Sequence, residues 1–309
     1  FDFELKADWN RRSVAVIREK SSKFVAKMFI QGKMTIGVVI STYNNPRWLE
    51  KTLWGYVHQT RQADEIVIAD DGSGEATRAL VDSFRGRLPI KHVWHEDDGF
   101  RKNVILNKAL MAAESEYLIF TDHDLLPRND FVATHERYAE KGYFLSGGCL
   151  RLPMDISEAL TEDDIASGRA FRLDWLHAQG LKRAWKNTKL VQVGWFCRMM
   201  NHITPRGATW NGGNASGWRE DMLRVNGYDE TMRYGSEDRE FGERLFNLGV
   251  KSKQLCYSVV TLHLDHARPY LDRALMAANI AKRKETRRSG IIETPHGIRQ
   301  HILENKSEI

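Results

Sequence analysis

Two carboxylates one residue apart, Asp122 and Asp124, close the apolar run Tyr117-Leu118-Ile119-Phe120 in the segment YLIFTDHDLLP. A short run of that composition reads as a buried strand, so both acids stand at a strand's end. In open α/β sheets ligands bind beyond the carboxyl ends of the strands. Two hard oxygen donors placed there suit a divalent cation that holds a phosphate. The competing reading is a polar turn in which Asp124 caps whatever follows Pro127, and a D-x-D triplet alone does not separate the two.

The elements that must position these acids follow from periodicity. Ile36 to Ile40 reads as a buried strand ending in Ser41-Thr42-Tyr43-Asn44-Asn45-Pro46, with a helix from Trp48 to Gln59 behind it. Glu65 to Ala69 forms a second strand, ending in Asp70-Asp71-Gly72-Ser73, and a helix over Ala76 to Phe84 follows. His92-Val93-Trp94 is a short third strand, and a helix over Asn103 to Ala113 leads into the strand at Tyr117. Strands alternating with helices at this spacing predict an α/β fold with a mostly parallel central sheet flanked by helices. Beyond Pro153 the rhythm changes, with more charge and helical pattern over residues 154–210. Trp175, Trp185, Trp195, Trp210 and Trp218 gather there; tryptophan stacks well on sugars, but most tryptophans are core residues. Gln254 to Leu262 reads as a late strand that stops at His263-Leu264-Asp265-His266, and the tail from Arg268 reads as helical and basic.

The chain of 309 residues is 42% apolar, which is enough for a real core and a globular, soluble protein. No apolar run approaches the roughly 20 residues that span a bilayer. No leader pattern is visible from Phe1, and a removed leader is left open. Three widely spaced cysteines, Cys149, Cys197 and Cys256, argue against a disulfide framework or a zinc cluster and point to a reducing cytosol. The net charge of +5 is uneven: residues 1–34 and 267–309 each carry +4, and the body between carries −3. Basic ends on an acidic body fit an anionic surface or partner rather than nucleic acid, or simply solvated faces. Val14, Ile17, Phe24 and Met28 recur at helical spacing with Lys20, Lys23 and Lys27 on another face, which predicts a basic amphipathic helix packed on the domain or lying on a membrane.

In order along the chain stand VVISTYNNP, IVIADDGS, DDGFRKNVILNKA, YLIFTDHDLLP, GGNASGWREDMLRVNGYDE, YGSEDREFGERLFNLG and LHLDH. Over roughly residues 35–268 this order resembles an inverting family 2 glycosyltransferase of the GT-A fold. The second half is similar to the galactosyltransferase-type segment of β-1,4-galactosyltransferases and bacterial chondroitin-type polymerases. The resemblance implies a nucleotide-sugar-binding half over 35–153, an acceptor-binding and catalytic half over 154–266, and terminal extensions over 1–34 and 267–309.

By the same resemblance Thr42, Tyr43 and Asn44 receive the nucleotide base, Asp70 and Asp71 accept from base or ribose, and Arg101 lies near the donor. An ordinary turn at Asp71 and an ion pair from Arg101 to Asp97 or Asp98 are the plain alternatives. Asp124 is implied to bind the cation, Mn²⁺ or Mg²⁺, with Asp122 touching ribose or a metal-bound water. His263 stands where a further ligand is expected, with His266 close enough to be confused with it. Asp238 is expected to be the base that an inverting transfer needs, with Glu237 binding acceptor hydroxyls or orienting it; capping of the following helix is the alternative role. Gly213 and Asn214 are expected to line the region between donor sugar and acceptor.

These implications make the chain a metal-dependent transferase of a UDP-sugar onto a glycan or lipid-linked glycan of the bacterial surface. It is expected to be cytoplasmic and to touch the inner membrane face through its basic ends. A sugar-nucleotide pyrophosphorylase is the second class, disfavoured because Ser41 to Pro46 is not a glycine-rich basic loop. A glycan-binding module without catalysis is the third, set against the presence of Asp122, Asp124, Asp238 and His263.

Overall fold

The computed structural model describes residues 34–205, 207–266 and 273–301, and from Thr35 onward the chain forms one compact unit. The amphipathic helix expected over Val14 to Met28 lies outside the described residues. Three strands of near-continuous apolar sequence are buried along almost their whole length: β1 (Ile36–Thr42), β2 (Glu65–Asp70) and β4 (Tyr117–Asp122). Such strands need cover on both faces, and the helices Pro46–Val57, Glu75–Phe84 and Lys102–Ala112 between them supply it. With β3 (Ile90–Trp94) they run parallel in the order β3-β2-β1-β4. The chain order reverses between β1 and β4, which makes their carboxyl ends the crevice where an open α/β sheet takes a ligand.

The remaining strands deliver the second half of the site. Past the short strand β5 (Leu125–Pro127), β6 (Tyr143–Ser146) and β7 (Gly148–Arg151), strand β8 (Asn214–Trp218) runs antiparallel beside β4, with Asn214 opposite Thr121. β6 and β9 (Lys251–Gln254) extend the same sheet to seven strands. A second sheet has β10 (Val260–His263) at its centre, antiparallel to β5 and parallel to β7. His263 is therefore opposite Leu125, and the Leu264 N–H donates to the Asp124 carbonyl at 2.9 Å.

The late strand expected over Gln254 to Leu262 is two strands in two sheets. The chain must leave the edge of the large sheet and enter the middle of the small one. It does so by a turn at Cys256–Ser258, where the Ser258 and Val259 N–H groups both donate to the Leu255 carbonyl. Residues 154–190 pack on the small sheet, with Ile156, Leu160, Ile165, Phe171, Leu176 and Leu190 buried against Leu150, Val260 and Leu262. The tail is helical over Arg273–Ser289 and lies along the helix Glu237–Asn247, tied by Arg283 to Glu243 at 2.7 Å and by Thr286 to Glu240 at 3.0 Å. Among the described residues no helix is long and apolar enough to cross a membrane.

Candidate active site

The D-x-D segment divides its two acids. Asp122 is the last residue of β4, in register with Ser41 of β1, and its Oδ1 accepts from the Ser41 hydroxyl at 2.5 Å and the Lys102 ammonium at 2.5 Å. Asp124, 5% exposed, sits past the strand end. Its Oδ2 is 2.7 Å from Nε2 of His266 and 3.4 Å from Nε2 of His263. Ligand atoms of these three residues lie within 4.8 Å of one another, and the two rings stack at 5.5 Å. Burial works against a charge on Asp124, but the hydrogen bond from His266 and the neighbouring His123 and His263 hold its carboxyl well below the usual range. One carboxylate and two imidazoles, converging with the histidine side chains only 13% and 18% exposed, is a donor set that could hold a divalent cation. Asp122 lies outside this group; both histidines, which sequence left as rivals, belong to it.

A second acidic group is the pair Glu237-Asp238, in the first turn of its helix, where the positive end of the helix dipole favours acids. Gly235 at φ +107° and Ser236 at φ +71° turn the chain sharply ahead of it. A Cβ on Gly235 would also meet Cγ of Met276 at 2.8 Å, so both conformation and space require glycine there. Glu237 accepts from the Gly235 N–H at 2.6 Å, and Asp238 accepts from the Gly212 N–H at 3.2 Å and the Arg239 N–H at 2.7 Å. Ser236 rather than Asp238 occupies the N-cap, and it makes no side-chain cap hydrogen bond. Burial and then the charge of Asp238 push Glu237 up to about 7, against the lowering influence of Lys102. Burial raises Asp238 as well, against the Gly212 and Arg239 N–H groups.

Gly212 and Gly213 join this pair to the end of β4. Gly212 contacts Asp238, while a Cβ on Gly213 would meet Leu125 Cδ1 at 2.5 Å and Asp122 Oδ2 at 3.2 Å, so this loop passes tightly over the strand-end acid. Asn214 turns the other way. It is 2% exposed and gives its amide to the carbonyls of Gly148 and Val259, fastening the two sheets together.

At the carboxyl end of β1, where the resemblance places the base, Tyr43 is 47% exposed, its hydroxyl donating to Asp97 at 2.9 Å. Thr42 and Asn44 stitch the loop to its neighbour: the Thr42 carbonyl accepts from Asp71 N–H, and Asn44 Oδ1 from Gly74 N–H. Asp70 is 1% exposed, with one oxygen on the Ser73 N–H and the other on His92 at 2.8 Å. Asp71 accepts from His95 at 2.7 Å and from the Arg101 N–H at 3.0 Å. The Arg101 guanidinium donates to the Glu96 carbonyl and lies 3.4 Å from Asp98, the plain ion pair.

Sequence reasoning missed Lys102. Burial opposes its charge, yet Asp122, Glu237 and Asp238 hold the ammonium above its ordinary pKa. The signal was present. A lysine opening a helix with no acid in its first turn runs against the helix dipole, and such a local conflict marks a site held for function.

Residues 37–196 match the family model described as glycosyl transferase family 2, and residues 197–267 match one described as N-terminal domain of galactosyltransferase. The chain is 27% identical to chondroitin synthase of Pasteurella multocida over 238 residues, 69% of this chain and 23% of that protein. It is 31% identical to validoxylamine A glucosyltransferase of Streptomyces hygroscopicus subsp. jinggangensis over 233 residues, 70% of this chain and 52% of that protein. The chain thus spans a quarter to a half of these curated relatives. A mannosyltransferase from Pyrobaculum calidifontis, solved with GDP-Man and Mn²⁺, matches 83% of this chain and 64% of its own at a TM-score of 0.54 and 20% identity, which is a likeness of fold. With the family 2 match running over half the chain and a mostly parallel central sheet flanked by helices, the chain belongs to glycosyl transferase family 2 and has the GT-A fold.

Proposed function

We propose that this chain is a metal-dependent inverting glycosyltransferase that moves a sugar from a nucleotide donor, a UDP-sugar, to a hydroxyl of a bacterial surface glycan. The observation that carries the reading is a strand end that bears the trio Asp124, His263 and His266 and is tied, through Asp122, Lys102 and the Gly212-Gly213 loop, to a carboxylate pair of raised pKa. The trio would hold the cation, its mixed oxygen and nitrogen donors suiting Mn²⁺ and accepting Mg²⁺. When bound, that cation offsets the charge of the departing nucleoside diphosphate.

The residues of the chain do the rest. Inversion needs a base on the face opposite the leaving phosphate, and Asp238 is assigned that role. As the acceptor oxygen bonds to the anomeric carbon, its proton passes to the Asp238 carboxylate, and the breaking C–O bond leaves its electron pair on the diphosphate. General-base catalysis of this kind contributes roughly 10²–10⁴ in rate. Glu237 binds acceptor hydroxyls or orients the base. Lys102 pairs with Asp122 at 2.5 Å and holds it beside the Gly213 loop. The exposed Tyr43 ring offers a face to the base.

The test is a thermal-shift panel of UDP-, GDP-, CMP- and dTDP-sugars, each with Mn²⁺ or chelator, on the wild type and on Asp124→Ala. A ligand that binds only the folded state raises the melting temperature by mass action. The expected result is a shift with UDP-sugars that needs both Mn²⁺ and Asp124. A shift of equal size with chelator, or in Asp124→Ala, would contradict the cation assignment.

A further inference from the structure

A patch away from the crevice has the composition of a membrane-contacting surface. The helix Gly194–Ile203 buries Cys197 and Met200 against Tyr257 and Cys256 and turns its other face outward. That outer face carries Trp195, Met199 and Ile203 at i, i+4 and i+8, exposed to 62%, 40% and 58%. The preceding turn adds Trp185, 72% exposed. The two stretches are joined where the Cys197 thiol meets the Val191 carbonyl and where Tyr257 contacts both Thr188 and Phe196.

Charge identifies the occupant. Residues 182–205 contain Lys182, Arg183, Lys186, Lys189 and Arg198 and not one Asp or Glu, inside a body that is otherwise net acidic. Lys182, Arg183, Lys186 and Arg198 are exposed, and no ion pair among the described residues uses them. A sugar-binding face would offer flat aromatic rings with carboxylates or amides to meet hydroxyls. Met199 and Ile203 offer neither. Aliphatic and tryptophan side chains beside unpaired basic residues match the boundary of a bilayer, where indoles sit at headgroup level and lysines and arginines meet phosphates.

We propose that the face built by Trp195, Met199 and Ile203 with its flanking basic residues seats on a bilayer that carries anionic headgroups. The chain would then meet the membrane through the middle of its sequence rather than through its basic ends alone. The segment runs on into the loop that reaches Gly212 and Gly213, so a chain held there presents its crevice loop close behind the docking face in sequence. The inference does not depend on the transfer reaction.

The test is sedimentation of the full chain with vesicles of phosphatidylcholine, with and without phosphatidylglycerol. Each basic residue near an anionic surface adds about fivefold in partition, and each buried apolar side chain a similar factor. Wild type is expected to partition strongly into phosphatidylglycerol vesicles and weakly into neutral ones. The triple variant Trp195→Gln, Met199→Gln, Ile203→Gln is expected to lose on the order of 100-fold, while still showing its nucleotide-dependent thermal shift. The double variant Lys186→Gln, Arg198→Gln, which touches no apolar packing, is expected to lose about 20- to 30-fold and probes the same face should the triple variant melt early. Wild-type partition in both variants would overturn the proposal. So would loss of partition on changing only Lys20, Lys23 and Lys27 to Gln, or binding to heparin in solution without binding to vesicles.

Discussion

Two pairs of adjacent acids, Asp70-Asp71 and Glu237-Asp238, occupy the two halves of the molecule in opposite circumstances. Every carboxylate oxygen of the first pair is matched: Asp70 by Ser73 N–H and His92, Asp71 by His95 and Arg101 N–H. The second pair shares a few backbone N–H groups and the field of one lysine, and its pKa values rise. The first pair is bonded partly by side chains and holds loops in place; the second meets only backbone N–H groups, and its burial pushes Glu237 up to about 7 and raises Asp238 as well. Adjacent carboxylates thus fasten a strand-end loop in one half, and in the other they are the pair proposed above for proton transfer.

The comparison can be broken from either side. Asp70→Ala leaves His92 and the Ser73 N–H without their partner inside the sheet edge, and is expected to lower unfolding free energy by about 1–3 kcal/mol, read from urea denaturation. A loss near zero would put Asp70 with the reactive pair. Lys102→Gln removes the cation that opposes proton uptake by Glu237 and Asp238. The acid limb of the rate profile is expected to move to higher pH by about one unit. An unmoved limb would detach Lys102 from the pair.

The smallest effect concerns stability. Glu237 has a folded pKa of about 7 against 4.5 for the free group, so the folded state holds its proton more tightly than the unfolded one. Its contribution is therefore most favourable at low pH and is lost as pH rises through about 7. Glu237→Gln is expected to raise the melting temperature by a few degrees at pH ~8 and to leave it unchanged at pH ~4. Equal melting at both would contradict the burial of its charge.

Much of this was legible along the chain. The buried runs ending at Thr42, Asp70 and Asp122 announced parallel strands with acids at one edge, and the glycine-serine turn before Glu237 announced a close approach. Partnerships set by sheet pairing were not legible. His266 reaches Asp124 because β10 enters the centre of a sheet whose neighbours, β5 and β7, lie more than a hundred residues upstream. Asn214 looked like a site residue because it follows Gly213, yet the alternation of β8 sends its side chain into the joint between sheets. The tryptophans divide by packing rather than by type: Trp210 and Trp218 are core, and Trp185 and Trp195 are exposed.

The central claim is that Asp238 is the base and the cation trio is separate from it. The direct measurement is the pH dependence of transfer at saturating donor and Mn²⁺ for wild type and Asp238→Asn, with Mn²⁺-dependent donor binding measured alongside. The account predicts a fall of roughly 10²–10⁴ in kcat, loss of the acid limb, and donor affinity within a few-fold of wild type. A variant that keeps the wild-type limb and rate, or that loses Mn²⁺-dependent donor binding together with activity, would contradict it.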